Sequence, residues 1–207
     1  MAYLQPADYL NYGLPASTTA DWITAATALI NSYCRRPDLN VIQYTERMRI
    51  TTGAQTVHLS YLPLSPLGTA TSPLVSMQGR YAKPRRGEVL NEPLFDIAWA
   101  FSLPGQWTAI DPTTVDWDPN TGELTLPYNV LGLPFNEVAV TYTAGLATIG
   151  ADVMTACAQL VRNAQSTPAL NASKTKIDTM QMQYFSSSLI DLTVQAWLRP
   201  YIANRVG

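Results

Sequence analysis

Residues Glu137 to Ala164 read EVAVTYTAGLATIGADVMTACAQLVRNA, and inside this stretch the apolar period changes from two to roughly 3.6. Over Glu137–Thr143, Val138, Val140 and Tyr142 alternate with other residues as in a strand, and Gly145 closes it. From Asp152 to about Gln165, Val153, Ala156, Cys157, Leu160, Val161 and Ala164 recur at helical spacing. What lies on either side of this strand–helix junction fixes the class.

Upstream, Pro6–Tyr12 suits a short helix stopped by Gly13, and a longer helix is predicted from about Thr18 to Cys34. Thr18 and Asp21 resemble a capping box, and Trp22, Ala26, Leu29, Ile30 and Tyr33 form the apolar stripe. Arg35 and Arg36 suit the carbonyl end of that helix and Pro37 stops it. Alternation then takes over in Tyr44–Ile50 and Val57–Tyr61, with Gly53-Ala54-Gln55 between, which predicts a hairpin. Leu62–Pro93, rich in Pro, Gly, Ser and Thr, reads as extended loop with scattered strand. Strand character returns at Leu94–Phe101 and Val115–Trp117, and the turn Asp118-Pro119-Asn120-Thr121-Gly122 leads to a partner strand, Glu123–Leu126.

Downstream, Ser166–Phe185 is a polar excursion in which Ile177, Met180, Met182 and Tyr184 suit a short hairpin or an extended arm. A last helix starts near Ser187 or Ser188, turns Leu189, Leu192, Ala196 and Trp197 inward, and is bent or ended near Pro200. A β meander interrupting a helical set is α+β, not a parallel sheet with helical crossovers. The expectation is one domain over residues 1–207. Its helical core comprises residues 1–40 and 150–207, an N-terminal helix plus two C-terminal helices, with an inserted antiparallel β block over 41–149.

Apolar residues make up 47% of the 207, enough for a sizeable core, and no apolar run reaches the ~18 residues of a membrane span. Met1–Pro6 lacks a basic-then-apolar leader pattern, and two cysteines allow one bridge at most, so a soluble protein of a reducing compartment is expected. Charged residues are 14%, against about 25% in a typical domain, and the net charge is −2. Both values favour a surface covered by neighbours; a surface rich in uncharged polar residues is the alternative. The charges are segregated. Arg35–Arg86 holds eight bases and two acids, whereas Gly87–Asp152 holds nine acids and no base. These blocks either meet within one fold or pair across a repeated subunit contact, with Arg35, Arg36, Arg80, Lys83, Arg85 and Arg86 facing Asp111, Asp116 and Asp118. Charge reversal at Arg85 and Arg86 is expected to harm assembly more than folding. Nucleic-acid binding by the basic block fits an acidic chain less well.

Catalytic constellations are sparse. His58 is the single histidine, on an alternating strand position, so neither a His-based triad nor a histidine metal site is supported. Cys34 and Cys157 lie at apolar positions and read as small buried hydrophobes. Asp111, Asp116 and Asp118 suit either a carboxylate site, as in a cryptic hydrolase, or Asp-rich turns, the turns being favoured by the adjacent prolines. Arg80–Gly87 is a basic loop suited to phosphate or, better, to an acidic protein surface. Trp99, Trp107 and Trp117 suggest either core packing or a β platform for a carbohydrate or other small ligand. No cofactor or metal is expected.

Five segments in order carry a resemblance: Asn31-Ser32-Tyr33-Cys34-Arg35-Arg36-Pro37, Tyr44-Thr45-Glu46-Arg47, Asn120-Thr121-Gly122-Glu123, Val140-Thr141-Tyr142-Thr143-Ala144-Gly145 and Tyr184–Gly207. Together they resemble the head–tail connector (adaptor, head-completion) proteins of tailed bacteriophages. The resemblance implies a non-enzymatic virion subunit with a helical core and a β insertion, made in the host cytoplasm and assembled as a ring, usually of twelve copies, between the portal and the tail. Such a ring extends the DNA channel without sequence-specific binding, docks tail or stopper proteins and has no membrane partner. It further implies contact with the portal through C-terminal residues, here Trp197, Arg199, Tyr201 and Arg205.

Overall fold

A computed structural model describes residues 2–50, 55–82, 105–127, 135–166, 174–177, 180–183 and 189–203. It has the α+β class expected, with antiparallel sheets between helical segments. The chain divides into a helical unit, Met1–Leu39 with Thr148–Ile202, and a β unit, Asn40–Ala147, to which Ala203 also belongs. The expected strand at Leu94–Phe101, the Gly53-Ala54-Gln55 turn and Lys83, Arg85, Arg86, Trp99, Tyr184 and Arg205 lie outside the described residues.

The helical unit packs α1 (Ala20–Cys34) and α2 (Ala151–Ser166) with α3 (Leu192–Leu198). On α1 the buried stripe is Ile23, Ala26, Thr27, Ile30 and Cys34, spaced three and four apart. Of the stripe expected from the sequence, Ala26 and Ile30 are buried and Leu29 and Tyr33 pack against the core, whereas Trp22 is exposed and Ile23 takes the inward place. The expected capping box is absent as well. Thr19 occupies the cap position without a side-chain bond, and Asp21 contributes its charge to the first turn. Arg35 ends the helix before Pro37 can, in the left-handed conformation (φ 56°). There the Arg35 amide donates to Ser32 O and the Arg36 amide to Asn31 O, the paired bonds of a Schellman motif.

Two hydroxyls fasten the ends of this unit. Tyr3 is buried; its hydroxyl donates to Asn31 Oδ1, lies 3.2 Å from Asp38 Oδ1, and accepts the Leu39 amide at 2.8 Å. Tyr201 donates to Asp152 Oδ2 at 2.5 Å, tying the final 3-10 turn (Arg199–Tyr201) to the start of α2. Asp191 caps α3 by accepting the Val194 amide, and Asn163 of α2 donates to Leu189 O. Two of the expected inward residues of this last helix face solvent: Leu192 is 82% exposed and Ala196 is exposed, while Val194 and Leu198 are buried. The short helix starts later than expected because Asp191, not Ser187 or Ser188, provides the cap. Between α2 and α3, β8 (Lys174–Ile177) and β9 (Met180–Gln183) form a two-stranded hairpin.

The β unit holds β1 (Ile42–Arg49), β2 (Thr56–His58), β3 (Leu74–Arg80), β4 (Thr108–Ile110), β5 (Asp116–Trp117), β6 (Glu123–Thr125) and β7 (Glu137–Ala144). A four-stranded sheet runs β1-β7-β3-β4 and a three-stranded sheet runs β2-β6-β5, all antiparallel. The expected hairpin between Tyr44–Ile50 and Val57–Tyr61 does not form. β1 pairs along its whole length with β7, and β2 pairs with β6. The reason is burial: Val138, Val140 and Tyr142 are fully buried, and β7 satisfies both its edges only as a central strand. β3, inside the region expected to be mostly loop, is concealed in the sequence by a bulge between Leu74 and Ser76 that breaks its alternation. Tyr44, Met77, Val140 and Tyr142 from one sheet, Val57 and Leu124 from the other, and Tyr81 and Phe135 belong to one hydrophobic core. Gly79 is required here, since a Cβ would stand 2.6 Å from the Phe135 ring. The Asp118–Gly122 turn forms as expected, with the Gly122 amide on Asp118 O and Gly122 at φ 67°.

Candidate interaction site

With β7 central, register brings charge together that lies far apart in sequence. Arg80 of β3 pairs directly with Glu137 of β7, and Arg47 of β1 stands diagonally across from it, two residues from the paired Arg49. The side chain of Glu137 is 5% exposed. Its Oε1 accepts from Arg47 Nε at 2.5 Å and its Oε2 from Arg80 Nε at 2.6 Å. Both guanidinium groups lie over the ring of Trp107, at 5.5 Å for Arg47 and 4.6 Å for Arg80. Burial pushes the Glu137 carboxyl up, but the hydrogen bonds and charges of Arg47 and Arg80 outweigh it and hold the group below the usual carboxylate range. The Glu137 bond in turn raises Arg47.

Arg49, paired in register with Glu137, shares this face with Arg47 by strand alternation, so among the described residues three guanidinium groups stand against one carboxylate and the face has a positive surplus. Arg47, with 57% of its side chain exposed, carries that surplus to the surface, and Arg80 is 19% exposed. Around them the outer face of the sheet offers exposed, uncharged Gln43, Thr45, Ser76 and Gln78. This cluster joins the basic and acidic segments within one chain, at a place the charge pattern alone did not identify. The available signal was a glutamate, the single charged residue, opening the strand EVAVTYT; its partners depended on a register that local sequence does not encode.

The other candidates fall elsewhere. Asp111 accepts the Thr113 amide and hydroxyl and caps a 3-10 turn; those bonds, the amide's foremost, lower its pKa. Asp118 accepts the Asn120 amide, which likewise lowers it. Both serve their own turns, and among the described residues no group of three or more acidic, His or Cys side chains is placed to hold a metal. Asp116 is exposed on β5. Arg35 is exposed, but Arg36, expected at an interface, is buried, and Arg80 is engaged by Glu137; neither is the free surface cation the charge pattern suggested. Trp197 packs against the helical core, Tyr201 is held by Asp152, and Arg199 is exposed. Trp117 packs against the β core, while Trp107 lies under the guanidinium groups of Arg47 and Arg80. Cys34 and Cys157 are buried free thiols, each raised to about 11, chiefly by burial. Among the described residues no helix is long and apolar enough to cross a membrane. Neither a family model nor a curated protein sequence matches the chain.

Proposed function

We propose that this chain is the subunit of a head–tail connector: a virion protein that forms a ring between portal and tail, continues the DNA channel and docks tail components. One observation carries the reading. Segments from both ends of the chain, α1 with α2 and α3, build one helical unit, and the antiparallel β unit is inserted between them, which is the layout the resemblance implies. The low charge content adds support, since a subunit enclosed by neighbours needs fewer surface charges. The carboxylates considered for hydrolysis are committed to turns at Asp111 and Asp118, which favours an architectural role over chemistry. In this reading the portal contact lies on the helical side, through Trp197, Arg199, Tyr201 and Arg205. Cryo-electron microscopy of the particle tests it: the chain is expected as a ring of density between portal and tail. Density elsewhere in the particle, or a particle lacking the chain, would refute the proposal.

A further inference from the structure

The β unit carries two charged surfaces, one on each of its sheets. On the outer face of the four-stranded sheet, Arg47 and Arg80 share Glu137 and retain a net positive charge, held in place by Trp107. Their bonds to Glu137 use Nε of each guanidinium, and a guanidinium carries four further N–H donors on its Nη atoms. On the three-stranded sheet, Trp117 packs inward against the core, so Asp116 projects outward by strand alternation and is exposed. The two patches lie on the outward faces of different sheets, whose inward residues share one core. They meet when one copy's positive face receives the next copy's negative face.

We infer that Arg47 and Arg80 form a receptor for the Asp116 carboxylate of a second copy of this chain, making a head-to-tail contact between β units. Such a contact is heterologous: the two surfaces differ, so repetition closes into a ring or continues as a filament. A guanidinium fixed by a carboxylate and an aromatic ring loses little freedom on binding, and its fork matches a carboxylate. A nucleic-acid backbone is the less suitable occupant. Its affinity grows with the number of phosphates neutralised, and among the described residues this face has only Arg47, Arg49 and Arg80, partly offset by Glu137, among uncharged Gln43, Thr45, Ser76 and Gln78. The inference deepens the connector reading and rests on it for closure into a ring; the pairing itself is separable.

The test is a charge swap read by sedimentation velocity of the full chain at low salt. Arg47→Glu and Asp116→Lys are each expected to weaken self-association roughly tenfold or more, with the double variant returning towards wild type. Asp116 is exposed and outside the turn-capping bonds, so Asp116→Lys remains informative if Arg47→Glu folds poorly. A second measurement is independent of both charges: Gln78→Cys with Asp116→Cys, oxidised, is expected to give a ladder of cross-linked oligomers that neither single variant gives. Unchanged association of Asp116→Lys, a double variant no better than the singles, a missing ladder or a monomeric wild type overturns the inference. So does an Arg47→Glu variant that loses DNA retention but not self-association. Swaps that behave as expected in a chain absent from the neck would refute the connector reading alone. A neck ring indifferent to every swap would refute the pairing alone.

Discussion

Replacing Glu137 with Gln keeps the side chain's shape and removes its charge. The amide presents one acceptor oxygen and one NH2 donor to two guanidinium donors, so one of the bonds at 2.5 and 2.6 Å becomes a donor–donor conflict. Removing one partner of a buried ion pair costs about 3–5 kcal/mol. Arg47 is 57% exposed and recovers hydration, so its share is discounted, whereas Arg80 at 19% has less access to water. The expected loss is about 2–3 kcal/mol. For a unit of this size each kcal/mol moves the melting temperature by about 4–8 °C, which places the variant roughly 8–24 °C below wild type at pH 7. The dependence on pH follows from the direction of the shift. The folded-state pKa of Glu137 is depressed, so its contribution is full above the unfolded carboxylate value of about 4.3 and is lost as pH falls through the lower, folded value. Thermal unfolding followed by circular dichroism, with tryptophan fluorescence as a report from Trp107, is therefore expected to show a wide gap at pH 7 that closes under strong acid. Melting within about 1 °C of wild type at pH 7, or a gap unchanged well below the folded pKa, would refute the reasoning.

Three further outcomes are expected. Gly79→Ala drives a Cβ to within 2.6 Å of the Phe135 ring, and urea unfolding is expected to show a loss of about 1–3 kcal/mol from overpacking. Arg35→Gly relieves the left-handed strain at φ 56° and is expected to raise stability by about 0.5–1 kcal/mol, measured in the same way; a loss would contradict the role assigned to that residue. Because Cys34 and Cys157 are buried with pKa values near 11, neither is expected to react with a thiol reagent at pH 8 until the helical unit unfolds; rapid labelling of the native chain would contradict their placement.

Periodicity and turn chemistry made part of this fold legible. Val138, Val140 and Tyr142 marked a strand, Val153 to Val161 marked a helix, and the Asp118–Gly122 turn formed from the residues that favour it. These are local properties, written in neighbours a few positions apart. Pairing is not local. The run at Tyr44–Ile50 faced two possible partners, and the buried centre of β7, not the nearer strand, took it. At the start of α1, Ile23 rather than the adjacent Trp22 lies in the core, a choice between neighbours that spacing alone does not make. The cluster of Arg47, Arg80, Glu137 and Trp107 was harder still, because three strands had to be in register, with Trp107 brought over them, before it existed.

The central position of β7 also bears on how the chain is made. Arg47 and Glu137 are 90 residues apart, so at a synthesis rate of about 5–20 residues per second β1 waits roughly 5–18 s for the strand that will cover its edge. β3, on the other side, waits for the same strand. The nascent β unit thus emerges from the ribosome as two open edges and closes when its middle arrives.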